Sequence, residues 1–176
     1  MTMNPIRITA IEKTFVTGCW NNLFIGIWRG PASVVTANEW GRQYEHMAAR
    51  HPAGFVSLSI VEMQTPIPDG PTRKALSAAM DRAGGALRAM AGIQEARGFT
   101  GAAIRSVLLA LSNMSRGPFP RRMFGSCTEA SFWLSSHFDS SVEPVTSEQL
   151  LMVVTEFRTL VDPRRAPPIR HVGAVA

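Results

Sequence analysis

The amino-acid sequence predicts one α/β domain built on a mostly parallel central sheet of about five strands, entered through a β-hairpin and covered by helices. Three features carry this expectation. Strand-like apolar runs alternate with apolar stripes at helical spacing along most of the chain. The segment Phe55 to Val61 is apolar almost throughout, as a strand buried on both faces must be. Asn21-Asn22 separates two opening strand-like runs, and asparagine tolerates the left-handed turn geometry of a tight hairpin. A chain of 176 residues buries enough surface for a single core without a metal or disulfide staple.

The opening hairpin is expected over Lys13 to Trp20 and Leu23 to Trp28. Thr36-Ala-Asn-Glu39 then has the form of a capping box, so a helix is predicted from about Ala37, with Trp40, Tyr44, Met47 and Ala48 on its inner stripe. His51-Pro52-Ala53-Gly54 stops it ahead of the Phe55 to Val61 strand. After a loop from Glu62 to Gly70, Pro71 suits the first turn of a second helix carrying Leu76, Ala79, Met80 and Ala83, because its missing N–H has no partner to lose there. Gly84-Gly85 ends that helix, and Leu87 to Gln94 reads as the next strand.

Gly98-Phe99-Thr100-Gly101 leads into a third helix with Ile104, Val107, Leu108 and Leu111 inward. A loop from Ser112 to Pro120, a short strand at Arg121 to Phe124 and a helix from Thr128 to Phe138 with Phe132 and Trp133 follow. These elements make residues 1–138 the α/β domain. Residues 139–162 hold a linker and an added amphipathic helix, opened by a capping box at Thr146-Ser-Glu-Gln149 and striped by Leu150, Val153, Val154, Phe157 and Leu160. Residues 163–176 are expected to be a flexible tail.

Composition narrows the function classes. Hydrophobic residues make up 45% and charged residues 18%, a globular rather than a disordered balance. The net charge is +5, but the basic residues are scattered apart from Arg121-Arg122 and Arg164-Arg165, which argues against a nucleic-acid footprint. Cys19 and Cys127 form neither a C-x-x-C pair nor a closely spaced framework, so a reduced, cytoplasmic chain is expected. Met1 to Thr17 carries Arg7, Glu12 and Lys13 in place of the apolar core of a signal peptide, and no later run is apolar for a membrane-spanning length, so neither secretion nor membrane insertion is expected.

No catalytic centre is legible. His46 and His51 are five apart and do not share a helix face, His137 and His171 are isolated, and no metal, cofactor or nucleotide motif occurs. Glu62 and Asp69 are separated by turn prolines and suggest no acid–base pair. Trp20, Trp28, Trp40 and Trp133 fall on core stripes or beside the hairpin, where packing is their commoner role. Cys19 suits a buried small hydrophobe, and Ser126-Cys127-Thr128 suits a helix cap.

The element order, together with Trp28-Arg29-Gly30-Pro31 ahead of the Thr36 to Trp40 helix start, resembles the STAS and SpoIIAA-like fold of bacterial anti-sigma factor antagonists over residues 6–138. That resemblance implies a non-enzymatic regulatory protein that binds a protein partner. In such antagonists a D-S-x-G-like turn carries the phosphorylated hydroxyl at a helix start. Here the matching stretch is Asp69-Gly70-Pro71-Thr72, with glycine where the hydroxyl would stand and Thr72 two residues late. Thr72 and Thr100 are the hydroxyls that sit near helix N-termini, where an added phosphate would meet free N–H groups; the plainer role for either is a cap.

Two further expectations concern partners. The apolar stripe of the added helix must be buried, either on its own domain or in trans, for example in a homodimer. The alternative to a protein-binding module is a small-ligand or lipid-binding domain that uses a cleft between sheet and helices.

Overall fold

The computed structural model describes residues 4–95, 106, 117, 119–138 and 144–162. Six strands form one sheet in the order in which they occur in the chain: β1 (Arg7–Ile11), β2 (Phe15–Trp20), β3 (Leu23–Trp28), β4 (Phe55–Val61), β5 (Leu87–Gln94) and β6 (Arg121–Phe124). The first two pairings are antiparallel and the other three parallel. Four described helices accompany them: α1 (Val34–Arg50), α2 (Gly70–Asp81), α3 (Cys127–Ser135) and α4 (Ser147–Leu160).

The α/β class, the opening hairpin and the mostly parallel sheet agree with the sequence. Asn21 adopts φ +50° in the hairpin turn, the conformation that asparagine tolerates better than most residues. The sheet has one strand more than expected. β1 is short, sits at the edge and has a register shift between Ile8 and Ala10, so it lacks the regular apolar alternation that marks a strand in sequence.

The first helix also begins three residues earlier than its expected start at Ala37. Its N-cap is Ser33, not Thr36: Ser33 Oγ accepts the Thr36 N–H at 3.2 Å, and Thr36 Oγ1 accepts the Ser33 N–H at 2.8 Å. A threonine hydroxyl thus performs the return half of the capping box that was assigned to Glu39, whose carboxylate instead holds Arg42 and Gln43. Of the expected helix after Gly101 only Ser106 is described, and it is helical; its entry at Thr100 and the tail over residues 163–176 lie outside the described residues.

Right-handed crossovers from β3 to β4 and from β4 to β5 put α1 and α2 on one face of the sheet. Trp40, Tyr44 and Met47 of α1 and Met80 of α2 pack there on Phe15, Phe24, Trp28 and Phe55. Trp40 stacks on Trp28 with ring centroids 4.6 Å apart and lies directly over Gly26. Tyr44 is fully buried and its hydroxyl meets Ser57 Oγ at 2.8 Å; burial raises its pKa, which keeps the phenol neutral.

The opposite face receives α3 and α4. Leu150, Val153, Val154 and Phe157 are each 1% exposed or less and pack with Ala130 and Leu134 of α3 against Val16, Ile25, Leu58 and Ala91. The apolar stripe of the added helix is therefore satisfied within its own chain. Leu160 is an exception at 52% exposed, and Phe132 of α3 is 74% exposed while its neighbour Trp133 packs on Phe124.

Two substitutions test this packing. A Cβ at Gly26 would lie 2.2 Å from Trp40 Cη2, so Gly26→Ala is expected to lose about 1–3 kcal/mol in urea unfolding. Gly85→Ala, where a Cβ meets nothing within 4 Å, should stay within about 0.5 kcal/mol of the parent. Phe157→Ala should cost about 3–5 kcal/mol by the same measurement; a change under about 1 kcal/mol would contradict the burial of α4 on this sheet.

Candidate partner-binding site

The N-terminus of α2 is the place singled out by the resemblance. Asp69 is the N-cap, and its Oδ1 accepts the Thr72 N–H at 2.8 Å. Hydrogen bonds from the Thr72 hydroxyl and then from its backbone hold the Asp69 carboxyl below the ordinary carboxylate range. Thr72 is only 3% exposed, so its hydroxyl faces the cap rather than solvent. Gly70 occupies the first helical position, and a Cβ built there meets no atom within 4 Å. The geometry makes Thr72 an internal partner of Asp69 and leaves position 70 open to any side chain.

Around this terminus the chain builds one end of the sheet. β1 runs in the same direction as β3, because both are antiparallel to β2, and the register aligns Trp28 with Val61 and Val61 with Gln94. The carboxyl ends of all five co-directional strands therefore share an edge with the N-termini of α1, α2 and α3. The loops there are tied together: the Arg29 N–H donates to Thr14 O at 2.8 Å, the Glu62 N–H to Trp28 O at 3.0 Å and Thr65 Oγ1 to the same oxygen at 2.9 Å. Arg29 Nε also faces Glu62 Oε1 at 3.5 Å, so Glu62 is engaged in loop closure.

Exposed apolar side chains concentrate at this edge. Ile11 ends β1, Val34 and Val35 open α1, and Met63 and Ile67 follow β4; these are five of the eight large hydrophobic residues exposed among the described residues. Sequence reasoning passed over all five. The only local signal was an apolar residue repeated in turns and helix starts, where nothing internal requires burial.

The remaining candidates resolve into structural roles or separate places. Cys19 is buried in the α1 side of the core. Cys127 opens α3, with its sulfur 3.8 Å from Arg158 Nη2, and the same guanidinium pairs with Glu95 to join α4 to the end of β5. His137 packs on Trp133 at 4.3 Å between centroids. Among the described residues no group of three His, Cys, Asp or Glu side chains is disposed to hold a metal, and no helix is long and apolar enough to cross a membrane. At the far end of the sheet, β1, β3 and α1 enclose a cleft of about 360 Å³.

Comparison with protein families, with curated proteins and with solved structures returns no match to this chain. The functional reading therefore rests on the site itself.

The cap at Asp69 has a signed pH dependence. Because its folded pKa is depressed, its stabilisation is present above the unfolded carboxylate pKa of about 3.9 and is lost as pH falls through the folded value. Thermal unfolding of Asp69→Ala against the parent should show a Tm deficit at about pH 6 that narrows towards about pH 2. A deficit that grew on acidification would contradict the cap.

Proposed function

We propose that this chain is a non-enzymatic regulatory module that binds a protein partner at the carboxyl end of its sheet, as the resemblance to bacterial STAS and SpoIIAA-like proteins implies. The observation that carries the reading is the gathering of Ile11, Val34, Val35, Met63 and Ile67 at one edge. Scattered single apolar residues are ordinary on a surface, whereas five at one end of the strands, beside helix N-termini, suit a docking edge.

In this reading the phosphorylation switch of such antagonists is altered in this chain. Gly70 supplies no hydroxyl and Thr72 turns inward to Asp69. A cytoplasmic setting belongs to the same reading. A homodimer through the C-terminal helix would rest on Met152 and Leu160, the two large apolar residues of α4 that remain exposed, since its buried stripe serves its own sheet.

The small-ligand or lipid-binding alternative has one observation in its favour, the cleft between β1 and α1. It lies at the opposite end of the sheet from the docking edge.

Crosslinking in native extract followed by mass spectrometry tests the docking edge. A specific partner recovered with the parent chain should be lost with Val35→Asp and with Ile67→Asp, while Met152→Asp, in the middle of α4, should retain it. Equal recovery with all three variants, or loss only with Met152→Asp, would overturn the assignment of the edge.

A further inference from the structure

The cleft between the edge strand and α1 is built unlike the docking edge. Ile8 and Thr9 of β1, Phe24 of β3 and Met47 of α1 line its interior, while Arg7, Gln43, His46 and Arg50 line it from the strand and from the last turns of the helix. Phe24 and Met47 are buried, and Arg7 and Arg50 are exposed. No carboxylate is among the lining residues.

The positive charge there has no internal counterpart among the described residues. The acids of α1 are engaged elsewhere: Glu39 holds Arg42 and Gln43, and Glu45 lies 3.8 Å from Arg82 of the adjoining segment. Arg7 and Arg50 take part in no ion pair among the described residues. His51, next to the cleft, is disfavoured as a cation first by burial and then by the charges of Arg50 and Arg7, which places both guanidiniums close enough to act on one imidazole. Arg50 alone is suited to its place, since a cation at the last turn complements the helix dipole. Arg7 comes from a strand and has no such reason to be there.

We propose that this cleft binds a small organic anion, a phosphate or carboxylate attached to an apolar body, with Arg7 and Arg50 taking the anion and Ile8, over the buried Phe24 and Met47, the apolar part. The inference rests on the small-ligand reading and names its chemistry. Guanidinium is the side chain best matched to the two oxygens of a carboxylate or phosphate, and two of them from different elements hold a charge in one orientation. The volume lies at the lower end of the range for small-molecule sites, which suits a body of about one aromatic ring or a short acyl segment. The same chemistry is offered by a free metabolite and by an anionic lipid. Binding is independent of the docking edge, which lies at the other end of the strands.

The test is titration of the isotope-labelled full chain, followed by amide chemical shifts, with phenyl phosphate, benzyl alcohol and inorganic phosphate as separate probes. Phenyl phosphate is expected to give saturable shifts confined to residues 7–9 and 43–51, with affinity reduced about tenfold by Arg7→Gln and by Arg50→Gln and unchanged by the charge-matched Arg42→Gln. Benzyl alcohol and inorganic phosphate should each bind at least about tenfold more weakly than phenyl phosphate. Benzyl alcohol binding equally well would overturn the anion assignment while leaving the small-ligand reading standing; no saturable shift with any probe would end both. An equal loss with Arg42→Gln would reduce the effect to net charge and also overturn the site. Sedimentation with phosphatidylcholine vesicles, with and without phosphatidic acid, separates the sources: Arg7-dependent capture by the acidic vesicles supports a lipid headgroup, and binding of phenyl phosphate without capture supports a soluble ligand.

Discussion

A sheet that is apolar on both faces must be covered twice, and that requirement organises the molecule. β2, β3 and the first six residues of β4 are buried throughout, so neither side of these strands can face water. The crossover helices α1 and α2 cover one side because right-handed connections running in one direction across a sheet leave no choice of face. The other side is left to whatever follows β6. α3 is too short to seal it alone, and α4 completes the cover, with the Phe157 ring lying against the backbone of Gly18 in β2.

Once α4 is used in this way, its buried stripe is no longer a binding surface, and the available surface moves elsewhere. The two ends of the strands then differ in kind. The carboxyl end presents the apolar side chains of Ile11, Val34, Val35, Met63 and Ile67, beside loops held by the Arg29–Glu62 pair and by hydrogen bonds to Trp28 O. The amino end, beside the C-terminus of α1, presents two arginines at a cleft of mixed polarity. A docking edge and a small-anion cleft at opposite ends would allow one chain to bind two unlike ligands without competition.

Much of the fold was legible because the sequence repeats the signals that physics requires. The Phe55 to Val61 run, the Asn21-Asn22 turn and the Thr146 capping box each describe their own element, and the inward face of α1 followed from Trp40, Tyr44 and Met47. What escaped was governed by tertiary context. β1 is held by pairing to β2 rather than by its own pattern, and Ser33 caps α1 through a threonine where a glutamate was sought. Neither proposed surface could be read in advance. Arg7 and Arg50 are 43 positions apart, and Ile11 and Ile67 are 56 apart, so their association depends on strand order that no local spacing records. At the α2 terminus the residues themselves were found, but the inward turn of Thr72 depends on burial.

The central claim is that α4 covers its own sheet and so leaves binding to the strand ends. Isotope-filtered NOE measurements between the Phe157 ring and Gly18 Hα, made on a one-to-one mixture of labelled and unlabelled chains, test it most directly. The account predicts strong contacts within one chain and none between chains; contacts found only between labelled and unlabelled chains would contradict it and return α4 to the role of a partner-binding helix.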